Sequence, residues 1–143
     1  MKVLFVCTGN SARSQMAEAF ARRYGAGKVE AASAGIDPKG LHPLTVKVMA
    51  ERGIDVAQQA SKALTDEMIQ RADYVITVCG HADQHCPALP PHVRRFHWGI
   101  EDPAGRGARE SEEALAAFRQ ARDELESRVR DFLSPLLRLG SEG

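Results

Sequence analysis

Residues 2–24 read KVLFVCTGNSARSQMAEAFARRY and contain three patterns in succession. Lys2–Val6 has the length and the β-branched content of a buried strand. After the loop Cys7–Ser14, apolar side chains recur every four residues, at Met16, Phe20 and Tyr24. That spacing is typical of an amphipathic helix. The order strand, loop, helix predicts the first unit of an α/β fold.

The rest of the chain continues this alternation. Further strands are predicted at residues 28–36, 73–78 and 93–98, and further helices at 42–53, 64–72 and from Ser111 onward. We therefore expect a small doubly wound α/β fold, with helices on both faces of a four-stranded parallel sheet. The last helix should bury Leu115, Phe118, Leu125, Val129 and Phe132.

One domain accounts for residues 1–139, and the tail at residues 140–143 is expected to be disordered. Residues 79–92 contain three prolines, two cysteines and three histidines without a clean period. We expect that segment to be irregular and mobile.

The composition excludes several classes of protein. Nineteen basic and nineteen acidic side chains balance, so the net charge gives no sign of a surface that binds nucleic acid. No apolar stretch approaches the roughly 20 residues that cross a membrane. The first apolar run, Val3–Cys7, is too short for a signal peptide. We therefore expect a soluble, cytoplasmic protein, and the balanced charge without an obvious apolar patch favours a monomer. Because three cysteines do not suit a disulfide framework, we expect thiols used for chemistry, metal binding or packing.

The Cys7–Ser14 loop has the residues that an oxyanion receptor needs. Consecutive backbone N–H groups that lead into a helix bind tetrahedral anions such as phosphate or arsenate. Gly9 lets the backbone turn close to the ligand, and Asn10 tolerates a left-handed conformation. Arg13 can bind two ligand oxygens through its guanidinium fork. The expected substrate-binding residues are Thr8, Gly9, Asn10, Ser11, Ala12 and Arg13.

Cys7 can act as a nucleophile in the same loop. The positive surroundings favour the thiolate, which is the form that attacks, and the Ser14 hydroxyl can donate to it. Taken alone, a cysteine at the end of a strand is more often a small buried apolar residue. The spacing Cys-x5-Arg-Ser, between a strand and a helix, favours the catalytic interpretation.

The sequence VCTGNSARS at residues 6–14 resembles the phosphate-binding loop of the low-molecular-weight protein tyrosine phosphatases and of the arsenate reductases that share their fold. The resemblance extends to about residue 135 and includes SAGI at 33–36 and HWGIEDPAG at 97–105. It implies that Cys7 is the nucleophile and that Asp102, in the Asp-Pro loop, is a general acid and base.

Cys79 and Cys86 distinguish a reductase from a phosphatase. If the residues between them were helical, their Cα atoms would be roughly 10 Å apart at a rise of 1.5 Å per residue, whereas a disulfide needs them within about 7 Å. A bond between these cysteines therefore requires local unwinding, which Gly80 and Pro87 make easier. A pair that can bond only after rearrangement suits a redox cycle.

This pair, followed by CPALPP at residues 86–91, closely resembles the thioredoxin-coupled arsenate reductases. The resemblance implies that Cys7 attacks arsenate and that Cys79 then attacks Cys7, which releases arsenite. Cys86 would next move the disulfide to the Cys79–Cys86 pair, and thioredoxin would reduce it. No cofactor is expected, because the two electrons that convert As(V) to As(III) come from a thiol pair.

Two departures from the family pattern matter. Ala12 stands where many relatives have a second loop cysteine, which the implied mechanism does not use. Lys62 lies in a region where some reductases use an acidic residue to hold a potassium ion. That ion would lie near Asn10, Glu18 and Ser33. We hypothesise that the Lys62 ammonium replaces it.

The alternative enzyme is a low-molecular-weight protein tyrosine phosphatase, and shared residues would give this chain weak phosphatase activity. Against it, Gln15 stands where those phosphatases usually have proline, and Ala104 where they usually have an aromatic residue. A zinc domain is a second alternative, since residues 79–86 include two cysteines and two histidines. It leaves Cys7 and Arg13 without a role, so we expect no metal.

Overall fold

The computed structural model describes residues 1–104 and 111–142, with side chains as far as residue 138. Four strands form one parallel sheet: β1 Lys2–Cys7, β2 Glu30–Gly35, β3 Tyr74–Thr77 and β4 Arg94–His97. The helices within the described residues are α1 Arg13–Gly25, α2 Pro43–Ala50, α3 Asp66–Arg71, α4 Gly80–His85 and α5 Glu112–Glu142.

Local signals explain where several helices begin and end. α1 ends at Gly25, after which Ala26 has a left-handed φ of 49°. Pro43 begins α2, where its missing N–H has no partner to lose. Thr65 Oγ1 accepts the N–H of Met68 at 3.2 Å and so caps α3, as its position in the sequence predicts.

The strand order places the Cys7 loop at a favourable position for a ligand. The order across the sheet is β2-β1-β3-β4, so the chain moves to one side of β1 first and to the other side afterwards. Ligands of open α/β folds bind beyond the carboxyl ends of strands at such a reversal. Cys7 is the last residue of β1, where it pairs with Gly35 of β2. The predicted doubly wound parallel fold is confirmed.

The core is one hydrophobic cluster between the sheet and its helices. Its largest fully buried apolar side chains are Phe5, Phe20, Phe118, Met16, Met49, Ile76, Leu125 and Leu133. Each such side chain stabilises the fold by about 1.5–3 kcal/mol relative to exposure. No helix within the described residues has both the length and the apolar character that a membrane span requires.

α5 buries four of the five apolar residues predicted for it, but Phe132 is only partly buried. Leu133 takes the interior position at this turn and is 1% exposed. Phe132 lies instead at the edge of the core, where its ring packs against those of Tyr74, Phe96 and Trp98.

Two other expectations about regular structure need correction. Residues 80–85, expected to be irregular, form the helix α4. Asp83 of this helix is bonded to Thr77 and Arg95, which lie outside residues 79–92, so the pattern of the segment alone did not indicate a helix. The backbone of residues 140–142, expected as part of a disordered tail, continues α5. Gly143 lies outside the described residues.

Candidate active site

The Cys7–Ser14 loop joins the end of β1 to the start of α1, and its carbonyls are bonded away from the pocket. The carbonyls from Cys7 to Gly9 accept hydrogen bonds of 2.8–3.1 Å from backbone N–H groups that follow β2. The Ser11 carbonyl accepts from His42 N at 3.0 Å and from Thr45 Oγ1 at 2.8 Å. Because the C=O and N–H of one peptide point in opposite directions, this bonding leaves the N–H groups of Thr8, Gly9 and Ala12 available to an anion.

The Cys7 thiol is 3% exposed and has two hydrogen-bond partners. Ser14 Oγ lies 2.8 Å from Cys7 Sγ, and the Asn10 N–H donates to the same sulfur at 3.2 Å. Ser14 Oγ accepts from Asn10 Nδ2 at 2.8 Å, which directs the hydroxyl proton of Ser14 towards the sulfur. These donors would stabilise a Cys7 thiolate, the form of cysteine that attacks.

Asn10 supports the loop from inside the protein. It is fully buried, and its φ of 45° confirms the predicted left-handed conformation. Its Nδ2 also donates to Ser33 Oγ at 2.9 Å. Its Oδ1 accepts from Gln15 Nε2 at 3.2 Å and from Lys62 N at 2.8 Å. The side chain therefore faces the interior of the protein and not the pocket.

Glu18 is a buried carboxylate beside this network, with a relative exposure of 1%. Ser33 Oγ donates to Glu18 Oε1 at 2.8 Å, and Arg22 pairs with Oε2 at 2.9 Å. Lys62 Nζ lies 4.0 Å from Oε1. This is the position that the Lys62 hypothesis requires, and the replacement of a potassium ion stays a prediction.

Gln15 and Gly35 shape the loop in ways that sequence patterns do not reveal. Gln15 is fully buried, with Nε2 donating to Asn10 O at 3.0 Å and Oε1 accepting from Gln59 at 2.7 Å. No periodicity marks it, since α1 is buried over most of its surface. A Cβ at Gly35 would lie 2.7 Å from the Thr8 carbonyl, so only glycine lets β2 approach the loop.

Arg13 and Asp102 meet at the mouth of the loop. Arg13 Nη1 donates to the Ile100 carbonyl at 3.0 Å, and its Nη2 lies 3.7 Å from Asp102 Oδ2. The Asp102 Oδ1 atom accepts the N–H of Ala104 at 3.0 Å. The Arg13 side chain is 12% exposed and that of Asp102 is 58% exposed. The guanidinium of Arg13 is thus held by the protein, while the carboxylate of Asp102 is largely open to solvent.

A pocket lies over the loop. It is lined by Cys7, by every predicted substrate-binding residue except Asn10, by Asp102 and Ala104, and by Lys39, Gly40 and His42. The sequence analysis did not identify Lys39 and His42 as pocket residues. The signal available was their position just after β2, since residues that follow a strand of a parallel sheet lie at the end where ligands bind. Lys39 pairs with Asp37 at 2.7 Å and brings a second positive charge to the pocket. His42 Nδ1 accepts the N–H of Leu44 at 3.0 Å, which fixes its ring.

Cys79 contacts the loop from the neighbouring strand. It is 5% exposed and follows β3, which pairs with β1. Its Sγ lies 3.2 Å from Thr8 Oγ1. As the N-cap of α4, the same sulfur accepts the N–H of Ala82 at 3.3 Å. The structure therefore places Cys79 against Thr8 of the Cys7 loop, while an attack of Cys79 on Cys7 stays a prediction.

Cys86 lies at the other end of α4 and is half-buried. Burial raises the pKa of its thiol, an effect that the nearby Arg95 partly opposes. Cys7, Cys79 and Cys86 are all free thiols. The segment from 79 to 86 also holds His81 and His85, whose rings lie 4.2 Å apart. Across residues 1–104 and 111–142, no three His, Cys, Asp or Glu side chains are grouped to hold a metal ion.

Comparisons with known proteins agree on the family. The family model described as low molecular weight phosphotyrosine protein phosphatase matches residues 2–141. A Bacillus subtilis protein named arsenate reductase is 46% identical over 130 residues, which cover 91% of this chain and 93% of that protein.

Two solved structures show the same architecture. A thioredoxin-dependent arsenate reductase of Corynebacterium glutamicum superposes with a TM-score of 0.77 at 30% identity, over 95% of this chain and 61% of that one. An arginine phosphatase of Geobacillus stearothermophilus superposes with a TM-score of 0.81 at 29% identity, over 99% and 96% of the two chains. The chain therefore belongs to the low molecular weight phosphotyrosine protein phosphatase family.

Proposed function

We propose that this protein is an arsenate reductase that uses Cys7, Cys79 and Cys86 in sequence, here called the three-cysteine relay. The observation that carries the proposal is the contact of Cys79 Sγ with Thr8 Oγ1, at 3.2 Å, in the loop that begins with Cys7. A phosphatase needs one thiol, whereas a second thiol held against the loop supplies the electrons for a reduction. The names of the B. subtilis and C. glutamicum relatives support this substrate and thioredoxin as the reductant.

The first step forms a bond between sulfur and arsenic. Arsenate lies in the loop, held by backbone N–H groups and by the Arg13 fork. The Cys7 thiolate attacks arsenic, and one arsenate oxygen leaves as water after it is protonated. Asp102, which lines the pocket beside Arg13, is placed to supply that proton. Arsenic is still As(V) at this point.

The second step is the reduction. The Cys79 thiolate attacks Cys7 Sγ, so a disulfide forms and the sulfur–arsenic bond breaks. The electron pair of that bond stays on arsenic, which leaves as arsenite, As(III). The Thr8 hydroxyl and the Ala82 N–H, both at the Cys79 sulfur, would stabilise the attacking thiolate. Both electrons come from the two thiols, so no cofactor is needed.

The third step moves the disulfide to the surface. Cys86 attacks Cys79 Sγ, a Cys79–Cys86 disulfide forms, and the Cys7 thiolate is released. Cys79 and Cys86 flank the two ends of α4, where the helical rise separates their Cα atoms by roughly 10 Å. A disulfide needs them within about 7 Å, so the helix must unwind. The half-buried Cys86 would then present the disulfide to thioredoxin. We further propose that the protein works in the cytoplasm, where its three thiols would be kept reduced. We propose that it is a monomer because, among the described residues, Phe96 is the only large apolar side chain that is exposed.

Phosphatase activity is the second candidate. The family description and the G. stearothermophilus arginine phosphatase favour it, since the loop, Arg13 and Asp102 suffice for cleavage of a phosphate ester. This activity leaves Cys79 and Cys86 without a function.

NADPH consumption with arsenate, thioredoxin and thioredoxin reductase tests the proposal. We expect steady turnover by the native chain and its loss in Cys7→Ser, Cys79→Ser and Cys86→Ser. Any cleavage of an aryl phosphate should survive in Cys79→Ser and Cys86→Ser, which serves as the control for a folded loop. Aryl phosphate cleavage by a native chain that shows no arsenate-dependent turnover would identify a phosphatase instead.

A further inference from the structure

α4 is too short to be stable by itself. It has six residues, Gly80–His85, whereas isolated helices shorter than about 12–15 residues are marginal in water. Its first residue is glycine, which disfavours helix. Contacts with the rest of the protein must therefore hold it in place.

Asp83 makes those contacts from the middle of α4. Its Oδ1 accepts from Thr77 Oγ1 at 2.9 Å and from Arg95 Nη2 at 2.8 Å. Thr77 is fully buried at the end of β3, and its hydroxyl also lies 2.8 Å from Nδ1 of His97. One carboxylate thus ties α4 to both β3 and β4.

Arg95 holds the carboxyl end of the helix as well. Its guanidinium donates to the backbone carbonyl of Asp83, in the last turn of α4. Carbonyls in the last turn of a helix lack partners within the helix, so this bond satisfies one of them. We call the contacts among Thr77, Asp83 and Arg95 the α4 latch.

The latch and a Cys79–Cys86 disulfide are incompatible. Asp83 lies four residues after Cys79 and three before Cys86. Because the disulfide draws the Cα atoms of its cysteines to within about 7 Å, α4 must unwind around Asp83. Unwinding moves the Asp83 carbonyl and carboxylate away from Arg95 and Thr77. The latch therefore stabilises the dithiol form and not the disulfide form.

We propose that Asp83 and Arg95 are positioning residues that hold Cys79 against the Cys7 loop and set the reduction potential of the Cys79–Cys86 couple. This proposal rests on the proposed three-cysteine relay. A contact that stabilises only the dithiol raises the potential, which makes the disulfide easier for a dithiol donor to reduce. The latch thus holds Cys79 against the Cys7 loop while Cys79 is a thiol, and it opens when Cys86 attacks the Cys7–Cys79 disulfide.

The potential can be measured without arsenate. In a Cys7→Ser background only Cys79 and Cys86 remain, and equilibration with reduced and oxidised dithiothreitol gives their disulfide fraction. Asp83→Asn and Arg95→Gln should each favour the disulfide by about three- to tenfold, a shift of about 15–30 mV to more negative potential. Arg95→Lys should shift the potential less than Arg95→Gln does, since lysine keeps the positive charge but lacks the two-pronged guanidinium.

Glu67→Gln is the matched control. Glu67 pairs with Arg71 at 2.7 Å on α3, in an exposed ion pair of similar length that contacts no thiol. We expect no change in potential for this variant. Far-ultraviolet circular dichroism and the urea midpoint of each reduced variant establish that it is folded, which the partial exposure of Asp83 and Arg95 favours.

A second readout reports the position of Cys79. With Cys7 present and no reductant, Asp83→Asn should slow the single-turnover release of arsenite by a similar factor. Unchanged potentials in folded Asp83→Asn and Arg95→Gln would overturn the latch. The potential and the arsenite yield are separate measurements. If the variants shift the potential but the chain with Cys7 releases no arsenite, the relay is contradicted while the latch is supported.

Discussion

At the scale of single residues, Asn10 combines two roles that few side chains can fill. Its backbone has a φ of 45°, which turns the loop, while its amide joins Ser14, Ser33, Gln15 and the Lys62 backbone. Aspartate would keep the shape but lose two donors. The amide orients Ser14, and Ser14 directs its proton to Cys7, so the proposed nucleophile depends on a residue that does not line the pocket.

Asn10→Gly and Asn10→Ala separate these roles. Both remove the buried hydrogen bonds, which we expect to lower the free energy of unfolding by about 2–3 kcal/mol. Only alanine is also strained at positive φ, which should cost about 1–2 kcal/mol more. Urea denaturation measures both, with the native chain as reference. Equal free energies of unfolding of the two variants would contradict the idea that the left-handed conformation at residue 10 strains an alanine.

The roles of the loop residues could be predicted from the sequence, but the residues from elsewhere in the chain that line the same pocket could not. Cys7, Arg13 and Asn10 stand in one short motif, so their proximity follows from covalent connection. Lys39 and His42 line the same pocket only because β2 pairs with β1 in a register that sets Gly35 beside Cys7. A single sequence does not specify that register.

At the scale of elements, α4 is the part of the fold whose structure depends most on its surroundings. β1 could be predicted from its short, continuous apolar run, and α1 from apolar side chains that recur every four residues. α4 has no such period, and the partners of Asp83 lie six and twelve residues away, at Thr77 and Arg95. Its helix is a consequence of tertiary contacts, which explains why the sequence predicted an irregular segment.

Hydrogen exchange should therefore distinguish the two redox forms at α4. In the dithiol form the Asp83 N–H is bonded to the Cys79 carbonyl at 3.1 Å and the Ala82 N–H to the Cys79 sulfur. Both amides should exchange at least tenfold faster once the Cys79–Cys86 disulfide has formed, because unwinding exposes them. Amides of β1 serve as the internal control. Equal protection of α4 in both forms would contradict the unwinding.

At the scale of the whole molecule, a polar cluster joins α5 to the end of α2. Glu51, which ends α2, accepts from Arg119 Nη2 and from Arg122 Nη1, each at 2.6 Å. The Arg122 side chain is 7% exposed and also donates to the Val48 carbonyl at 3.0 Å. These contacts hold the long helix, and therefore the core beneath it, in one arrangement.

The pKa of Glu51 gives this cluster a pH dependence. Hydrogen bonds from Arg119, and then from Arg122, lower that pKa from 4.5 to about 2, against the opposing effect of burial. A carboxylate with a lower pKa in the folded chain stabilises the fold above its unfolded pKa, and that stabilisation is lost as the pH falls towards the folded value.

Glu51→Gln should consequently lower the urea midpoint at pH 7, and its difference from the native chain should shrink as the pH falls from about 4.5 towards 2. Parallel urea titrations of the two proteins at several pH values measure this. Glu67→Gln removes an exposed carboxylate of α3 and should show a smaller difference at pH 7. A constant difference between native and Glu51→Gln proteins at all pH values would contradict the assignment.

The overall architecture was accessible from the sequence because strand and helix patterns alternate along nearly its whole length. The polar cluster could not be predicted, since Glu51 and Arg122 are 71 residues apart and the sequence around each is typical of an ordinary surface charge. Burial of Arg122 depends on how α5 crosses α2, which only the folded chain specifies.

The measurement that tests the three-cysteine relay most directly is disulfide mapping of Cys86→Ser after reaction with one equivalent of arsenate. Without Cys86 the relay must stop after its second step. We predict one arsenite released per chain and a Cys7–Cys79 disulfide, identified by mass spectrometry of peptides from the non-reduced protein. Absence of that disulfide, with no arsenite released or with arsenite formed by another pair of groups, would contradict the relay.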